Sequence, residues 1–268
     1  MTTVYCILGI LAVLLALYLF LLFPAWRRHP HRKLLDGMHI AHRGLHDLKE
    51  NVPENSLAAF REAVNAGFAI ENDIHITVDG EVVVFHDDTL SRMCGVEGKI
   101  EDFTLDQLRE FRLNGTDEGI PTLRECLDLV NGQVPLLIEF KCGFGNYHAL
   151  CEAANAILKD YQGVYFVQSF FPHAMGWYRR HRNDVCRGQL SSVFPDGDLQ
   201  RKLLSSLLIN VISRPDFISF DHLHQNWVPF RLVKLLGAFP VGWTFRSNEE
   251  YAASKQFRTH IFELFLPK

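Results

Sequence analysis

The stretch Glu71–Asp88, ENDIHITVDGEVVVFHDD, places the tightest constraint on what this chain can fold into. It opens as a strand, in which successive side chains face opposite sides, so Glu71, Asp73 and His75 share one face. Val78, Asp79, Gly80 and Glu81 follow, an Asp-Gly turn between alternating apolar residues. That pattern predicts a hairpin returning His86, Asp87 and Asp88 towards the same end. Unpaired charges on a buried strand are costly to desolvate, so the cluster either coordinates something or lies on a solvated edge.

Beyond Met38 the chain alternates short apolar runs with amphipathic segments. Strands are expected at 38–42, 69–74, 135–140, 164–168, 185–190, 217–220, 239–243 and 259–264, with helices at 55–66, 122–130, 147–159, 172–182 and 225–236. Eight strands with helical crossovers in about 230 residues suit a closed α/β TIM (β/α)8 barrel, with a doubly wound open sheet as the alternative. Two stretches stand outside the repeat: 75–120, read as a hairpin and polar loop, and 193–212, read as an additional helix.

Ahead of the barrel, Val4–Phe23 is apolar or aromatic throughout apart from Gly9. As a helix it spans roughly 30 Å, the thickness of a bilayer's hydrocarbon core. A cleaved signal peptide needs a basic segment before the apolar run and a small-residue site after it. Here the positive charge follows instead, in Trp26-Arg27-Arg28-His29-Pro30-His31-Arg32-Lys33. The reading is a transmembrane anchor at 4–23, a basic juxtamembrane segment at 24–36 touching membrane lipids, and a barrel at 37–268. The positive-inside rule makes this a single-pass protein of the cell membrane with its bulk in the cytoplasm. A net charge of -4 gives no basic field for nucleic acid. The six cysteines stand singly with no CxxC, which indicates neither a zinc site nor a disulfide framework.

In a TIM barrel, active groups sit at the C-terminal ends of the strands. The first predicted strand ends in His42-Arg43-Gly44, the second carries Glu71 and Asp73 and leads to His86, and the third ends in Glu139 and Lys141. Three carboxylates without a thiolate favour one hard divalent cation, Ca2+ or Mg2+, over zinc. Arg43 and Lys141 suit a phosphate, and two histidines can divide a proton's removal and delivery. Together these residues predict metal-assisted phosphodiester cleavage.

The motifs His42-Arg43-Gly44, Pro53-Glu54-Asn55-Ser56, Glu71-Asn72-Asp73, Thr77-Val78-Asp79-Gly80, Val84-Phe85-His86-Asp87, Glu139-Phe140-Lys141, Gln168-Ser169-Phe170 and Trp243-Thr244 occur in that order. In this the chain resembles the glycerophosphodiester phosphodiesterase family. The resemblance implies a TIM barrel that hydrolyses glycerophosphodiesters to glycerol 3-phosphate and an alcohol. It also implies that Glu71, Asp73 and Glu139 hold the metal, that His42 as base and His86 as acid form the catalytic pair, and that Arg43 and Lys141 contact phosphate. Glu54 would orient the site from beside the metal, and Trp243 would wall the glycerol or alcohol pocket.

Several residues depart from the family pattern. Ser56 replaces a usual threonine, His75 replaces a usual apolar residue and becomes a candidate further ligand, and Ile261–Pro267 replaces the usual ending. The segment from Met93 to Gly119 is shorter than the cap of some relatives, which opens the mouth to larger substrates. A second reading is therefore a lysophospholipase D that releases lysophosphatidic acid from a lysophospholipid, with Phe170, Phe171, Trp177 and Trp227 as a candidate contact rim. A third is a membrane-tethered binding module without catalysis, against which stands the complete catalytic set.

Overall fold

In the computed structural model, which describes residues 1–47 and 51–267, nine strands form one sheet. They are β1 (His39–Ala41), β2 (Ala69–Ile76), β3 (Val82–Val84), β4 (Leu136–Phe140), β5 (Tyr165–Ser169), β6 (Arg187–Ser191), β7 (Phe217–Asp221), β8 (Phe239–Phe245) and β9 (Thr259–Phe262). β1 pairs in parallel with both β9 and β2, so the eight parallel strands close into a TIM barrel. Each of the eight expected strands is present.

The barrel interior explains where the polar residues go. Ile40, Leu137, Phe166, Phe217, Val241 and Ile261 form one buried apolar cluster with Leu35, which comes from the short helix Pro30–Leu35. Positions two further along a strand lie on the same face. They are His42, Glu139, Gln168, Ser219, Trp243 and Glu263. Apolar residues thus fill the N-terminal half of the interior, and polar ones line the C-terminal mouth. The opposite face of the same strands, including Ile70, Ile74, Ile138, Val167 and Phe220, packs into the larger core beneath the helices.

The predicted hairpin is present: β3 runs antiparallel to β2, with Ile76 opposite Val82 and Ile74 opposite Val84. Gly80 takes a φ of 87° in its turn. β1 pairs only with Ala69 and Ile70, and β3 then continues along the upper part of β2. The stretch expected as a polar loop differs from that reading. It folds around a core of its own, with Val83, Phe85, Leu90, Met93, Ile100, Leu108, Leu113 and Ile120 all buried. These apolar residues follow neither a helical nor a strand period, because short helical turns and loops deliver them. The expected helix within 193–212 is two pieces, Leu199–Ser206 and Asn210–Ser213.

The apolar run forms a helix, Thr2–Leu22, whose residues are largely exposed. Its C-terminal end is fixed to the barrel. Leu22 is buried, Asn210 Nδ2 donates to the Leu22 carbonyl (3.0 Å), and Arg214 Nη1 donates to the carbonyls of Phe20 (2.8 Å) and Phe23 (2.7 Å). A buried guanidinium thereby satisfies carbonyls that a helix end leaves without partners. The basic segment that follows also lies against the barrel, with Arg32 Nη1 donating to the Gly237 carbonyl at 2.7 Å.

Gly44 shows how local backbone fixes the mouth. It takes a φ of 80°, and a Cβ placed there would sit 2.8 Å from Ala59 Cβ and 2.9 Å from the Ala59 carbonyl carbon. Only glycine lets the turn after β1 approach the helix Leu57–Ala66 this closely. That helix starts at Ser56, whose Oγ accepts from the Ala59 N–H (3.1 Å) and so caps it. Gly44→Ala is expected to lower stability by about 2–4 kcal/mol, read as a shifted urea midpoint at unchanged slope.

Candidate active site

Asp73 and Glu139 are register partners on β2 and β4, and Glu71 lies two residues before Asp73. One oxygen from each of the three carboxylates lies within 4.8 Å of the others. All three residues are buried. Lys141 Nζ approaches Asp73 Oδ1 at 3.0 Å and Glu139 Oε1 at 2.5 Å, as ion pairs without a directed hydrogen bond to either oxygen. Arg43, at a φ of 54°, donates its backbone N–H to Glu71 Oε2 (3.1 Å) and places its Nε 3.7 Å from Asp73 Oδ2. Glu71 Oε1 is buried with no partner.

The electrostatics follow from that packing. Burial, and then repulsion from Asp73 and Glu139, pushes the Glu71 carboxyl well above the ordinary range. Burial also raises Glu139, against the pull of Lys141. Asp73 is desolvated too, but Lys141, His86 and Arg43 outweigh the effect and hold it below the usual carboxylate range. Three carboxylates therefore face two cations, with one oxygen unsatisfied. Oxygen donors alone, a deficit of positive charge and a shared focus together fit a hard divalent cation.

His42 Nδ1 lies 2.5 Å from Glu263 Oε2. Glu263 is partly desolvated, yet its bond to His42 and nearby positive charge hold its carboxyl down to about 2. The carboxylate accepts, so the proton is on Nδ1 and the lone pair is on Nε2. Burial, opposed by Glu263, pushes the His42 pKa down to about 4. His86 Nδ1 pairs with Asp87 Oδ1 at 2.6 Å. Arg92 joins the two halves of the site: its Nε donates to Asp87 (2.6 Å) and its Nη2 to Glu54 (2.6 Å), and Glu54 also accepts from Arg43 Nη1 (2.8 Å). An unbroken chain, Arg43–Glu54–Arg92–Asp87–His86, thus spans the mouth.

His42, Arg43, Glu54, Glu71, His86, Glu139, Lys141 and Trp243 line one cavity of about 360 Å3, and fully buried Asp73 reaches it through Lys141 and Arg43. A larger cavity of about 680 Å3 lies at the barrel's base among Arg28, Arg187, Arg214 and Asp216, away from these carboxylates. Trp243 meets Phe170 edge to face, with ring centroids 5.7 Å apart. His75 lies outside the acidic group: its Nδ1 is 3.1 Å from Glu101 Oε1, and its Nε2 is 3.4 Å from the His86 carbonyl. Of the four aromatics considered as a rim, only Phe170 lines this cavity. Trp177 and Phe171 are buried in the core, and Trp227 donates to the Ser205 carbonyl.

Three further residues support the site. Asn55, at a φ of 54°, donates Nδ2 to Asp73 Oδ2 (2.9 Å), and Glu263 and Arg92 act as described above. Glu263 carries a signal in the sequence, since it lies two residues beyond buried Ile261 on β9. Arg92 has none, because it comes from the irregular segment after β3.

The Glycerophosphoryl diester phosphodiesterase family profile matches residues 42–215. The chain belongs to that family. Glycerophosphodiester phosphodiesterase relatives include one from Caldanaerobacter subterraneus subsp. tengcongensis, 40% identical over 130 residues, or 46% of this chain and 52% of that protein. A lysophospholipase D from Rattus norvegicus is 32% identical over 175 residues, 60% of this chain and 54% of that protein. The chain thus spans about half the length of these curated relatives. The fold also matches an Oleispira antarctica phosphodiesterase solved in complex with sn-glycerol-3-phosphate, with TM-score 0.70, 23% identity, and coverage of 87% of this chain and 94% of that one.

In this family member, His42 is expected to stay neutral until the pH falls to about 4 in metal-free protein, measured by NMR titration of its ring. Because the folded value lies below the ordinary 6.5, the residue's contribution to stability is present above pH 6.5 and is lost as the pH falls towards about 4. A ring titrating near 6.5 would contradict the burial described here.

Proposed function

We propose that this chain is a metal-dependent phosphodiester hydrolase that cleaves glycerophosphodiesters to glycerol 3-phosphate and an alcohol. The observation that carries the reading is the buried Glu71, Asp73 and Glu139 group, with one oxygen unpaired, beneath a cavity lined by both His42 and His86. A divalent cation held by these three carboxylates, Ca2+ or Mg2+, supplies polarisation of a phosphoryl oxygen and offsets charge on the phosphate. Arg43 and Lys141 orient the phosphate. His42 Nε2 takes a proton from the attacking water, a role supported by its neutral, Glu263-oriented ring. His86, backed by Asp87, returns a proton to the oxygen of the departing alcohol. Glu54 holds Arg43 in place, and Trp243 walls the pocket beside the glycerol.

The apolar helix, with a mean hydropathy of 2.8, is proposed as a retained span at 4–23, followed by a basic segment at 24–36 and the barrel at 37–268. Its length and composition also suit a signal sequence. The bonds from Asn210 and Arg214 to its last turn support retention, because removal of the helix would strip a buried guanidinium of its acceptors. The arginines after the span support a cell-membrane protein with a cytoplasmic barrel, where membrane lipids meet the anchor.

With glycerophosphocholine as substrate, EDTA is expected to abolish turnover, and Ca2+ or Mg2+ to restore it. His42→Ala and Glu71→Gln are each expected to reduce kcat by roughly 10²–10⁴-fold. Full activity in chelator, or unchanged turnover in both variants, would refute the reading. Glu263→Gln keeps the shape but weakens the hold on His42, and is expected to lower kcat about 10²-fold with KM nearly constant.

A further inference from the structure

The cavity of about 680 Å3 at the barrel's base plays no part in the chemistry of the mouth, yet it concentrates charge. Arg27 and Arg28 reach it from the segment after the apolar helix, Arg179 from the helix Pro172–His181, Arg187 from the start of β6, and Arg214 from just before β7. Its lining has two carboxylates, and both are already engaged. Asp216 Oδ2 accepts from the Arg187 N–H (3.1 Å) and lies 3.8 Å from Arg187 Nη1, and Asp184 pairs with Arg182 at 2.7 Å. Arg214 donates to the carbonyls of Phe20 and Phe23, and Arg179 to those of Val211 (3.1 Å) and Ile212 (3.3 Å). Carbonyls orient a guanidinium without neutralising it. Among the described residues, Arg27, Arg28, Arg179 and Arg214 have no carboxylate partner. Burial and then repulsion from Arg179 lower the Arg214 pKa, and burial and Arg179 lower that of Arg187 against the pull of Asp216. The cavity wall is therefore short of negative charge.

The position of the cavity says where an anion would come from. Its lining begins at Ala25, two residues after the apolar run ends at Phe23. The headgroup layer on each side of a bilayer is about 5–8 Å deep, so residues directly after a span lie at the level of lipid phosphates. Trp26 is 66% exposed, its ring stacks on Phe23 with centroids 4.4 Å apart, and the Arg214 guanidinium lies 5.8 Å from its centre. An amphipathic ring at this place is the usual companion of a membrane interface. We propose that the cavity is a second phosphate site, separate from the catalytic one, and that it takes the headgroup phosphate of an anionic phospholipid from the bilayer holding the helix. The basic segment alone suggests a diffuse attraction to lipid; the cavity adds three arginines of the barrel and so a defined seat with one occupant. Arginine suits the task, because its planar fork binds phosphate oxygens in pairs. The lipid source rests on the retained span proposed above, and the phosphate site rests on the cavity alone.

The test uses the full chain in a non-ionic detergent, freed of lipid and titrated with dioctanoyl phosphatidic acid or glycerol 3-phosphate, with bound molecules counted by native mass spectrometry. Three variants each remove one positive charge. Arg28→Gln and Arg179→Gln take it from the cavity wall, and Lys33→Gln takes it from an exposed position of the basic segment outside the cavity. Losing a charge-assisted hydrogen bond to phosphate is expected to weaken phosphatidic acid binding roughly tenfold in each of the first two, with Lys33→Gln within about twofold of the unmodified chain. Equal weakening in all three shows a diffuse attraction and overturns the proposal. So does phosphate binding that neither cavity substitution changes, since it then belongs to the catalytic mouth. The thermal unfolding midpoint checks that each variant is folded. Arg28→Gln, exposed and without the carbonyl bonds of Arg179, carries the comparison if Arg179→Gln does not fold.

The two ligands separate the two sources of a phosphate. Phosphatidic acid bound tightly, with glycerol 3-phosphate bound weakly and insensitive to Arg179→Gln, is the result expected of a lipid seat. Glycerol 3-phosphate bound in a way that Arg28→Gln and Arg179→Gln both weaken, without binding of the lipid, overturns the membrane source and leaves a site for free phosphate. The intact mass of the membrane-bound chain reads the retention of the helix independently. A chain that has lost its apolar run refutes the span, and the effect of the two cavity substitutions on phosphate binding still decides the site.

Discussion

Three carboxylates held out of water and close together repel one another, and the arrangement survives only if the surroundings compensate. Here the compensation is partial. Lys141 and Arg43 bring two charges to three, and Glu71 Oε1 is left without a partner. Much of the nearby structure keeps these groups in place: Asn55 bonds Asp73, the Arg43 backbone bonds Glu71, and Glu54 anchors the Arg43 side chain. The Gly44 turn brings Arg43 to that position by letting the chain run against Ala59. A bound cation would relieve the repulsion that the protein itself leaves in place, so binding energy and site geometry have a common origin.

Most of the site was legible in the sequence because the barrel converts short spacings into shared direction. Glu71 with Asp73, and Glu139 with Lys141, stand two residues apart, and strand alternation alone brings each pair to one face. The convergence of separate strands was legible only through the predicted barrel and the family motifs. What stayed hidden was of two kinds. Glu263 and Arg92 act through contacts to residues far away in the chain, His42 and Glu54; strand alternation brings Glu263 to the mouth, but no local pattern marks its partner, and none marks Arg92 at all. The satellite core after β3 was hidden for a different reason: its apolar residues are spaced by turns, so the stretch read as a polar loop. His75 shows the converse limit, since it shares the strand face of Glu71 and Asp73 yet is taken up by Glu101 and the His86 carbonyl.

The apolar helix and the barrel are parts of one arrangement. The last turn of the apolar helix is bonded by Asn210 and Arg214, so the barrel is held against the helix end instead of trailing from a flexible linker. A polar cavity and an apolar one meet at one aromatic residue, Phe170.

The most direct test of the account is a titration of Mn2+, a spectroscopic stand-in for the divalent cation, into metal-free protein followed by electron paramagnetic resonance. One ion per chain is expected to bind, with binding strongly weakened in Glu71→Gln and Glu139→Gln. An unmodified chain that leaves all the manganese free, or the same binding in both carboxylate variants, would contradict the claim that these buried oxygens are held together to receive a cation.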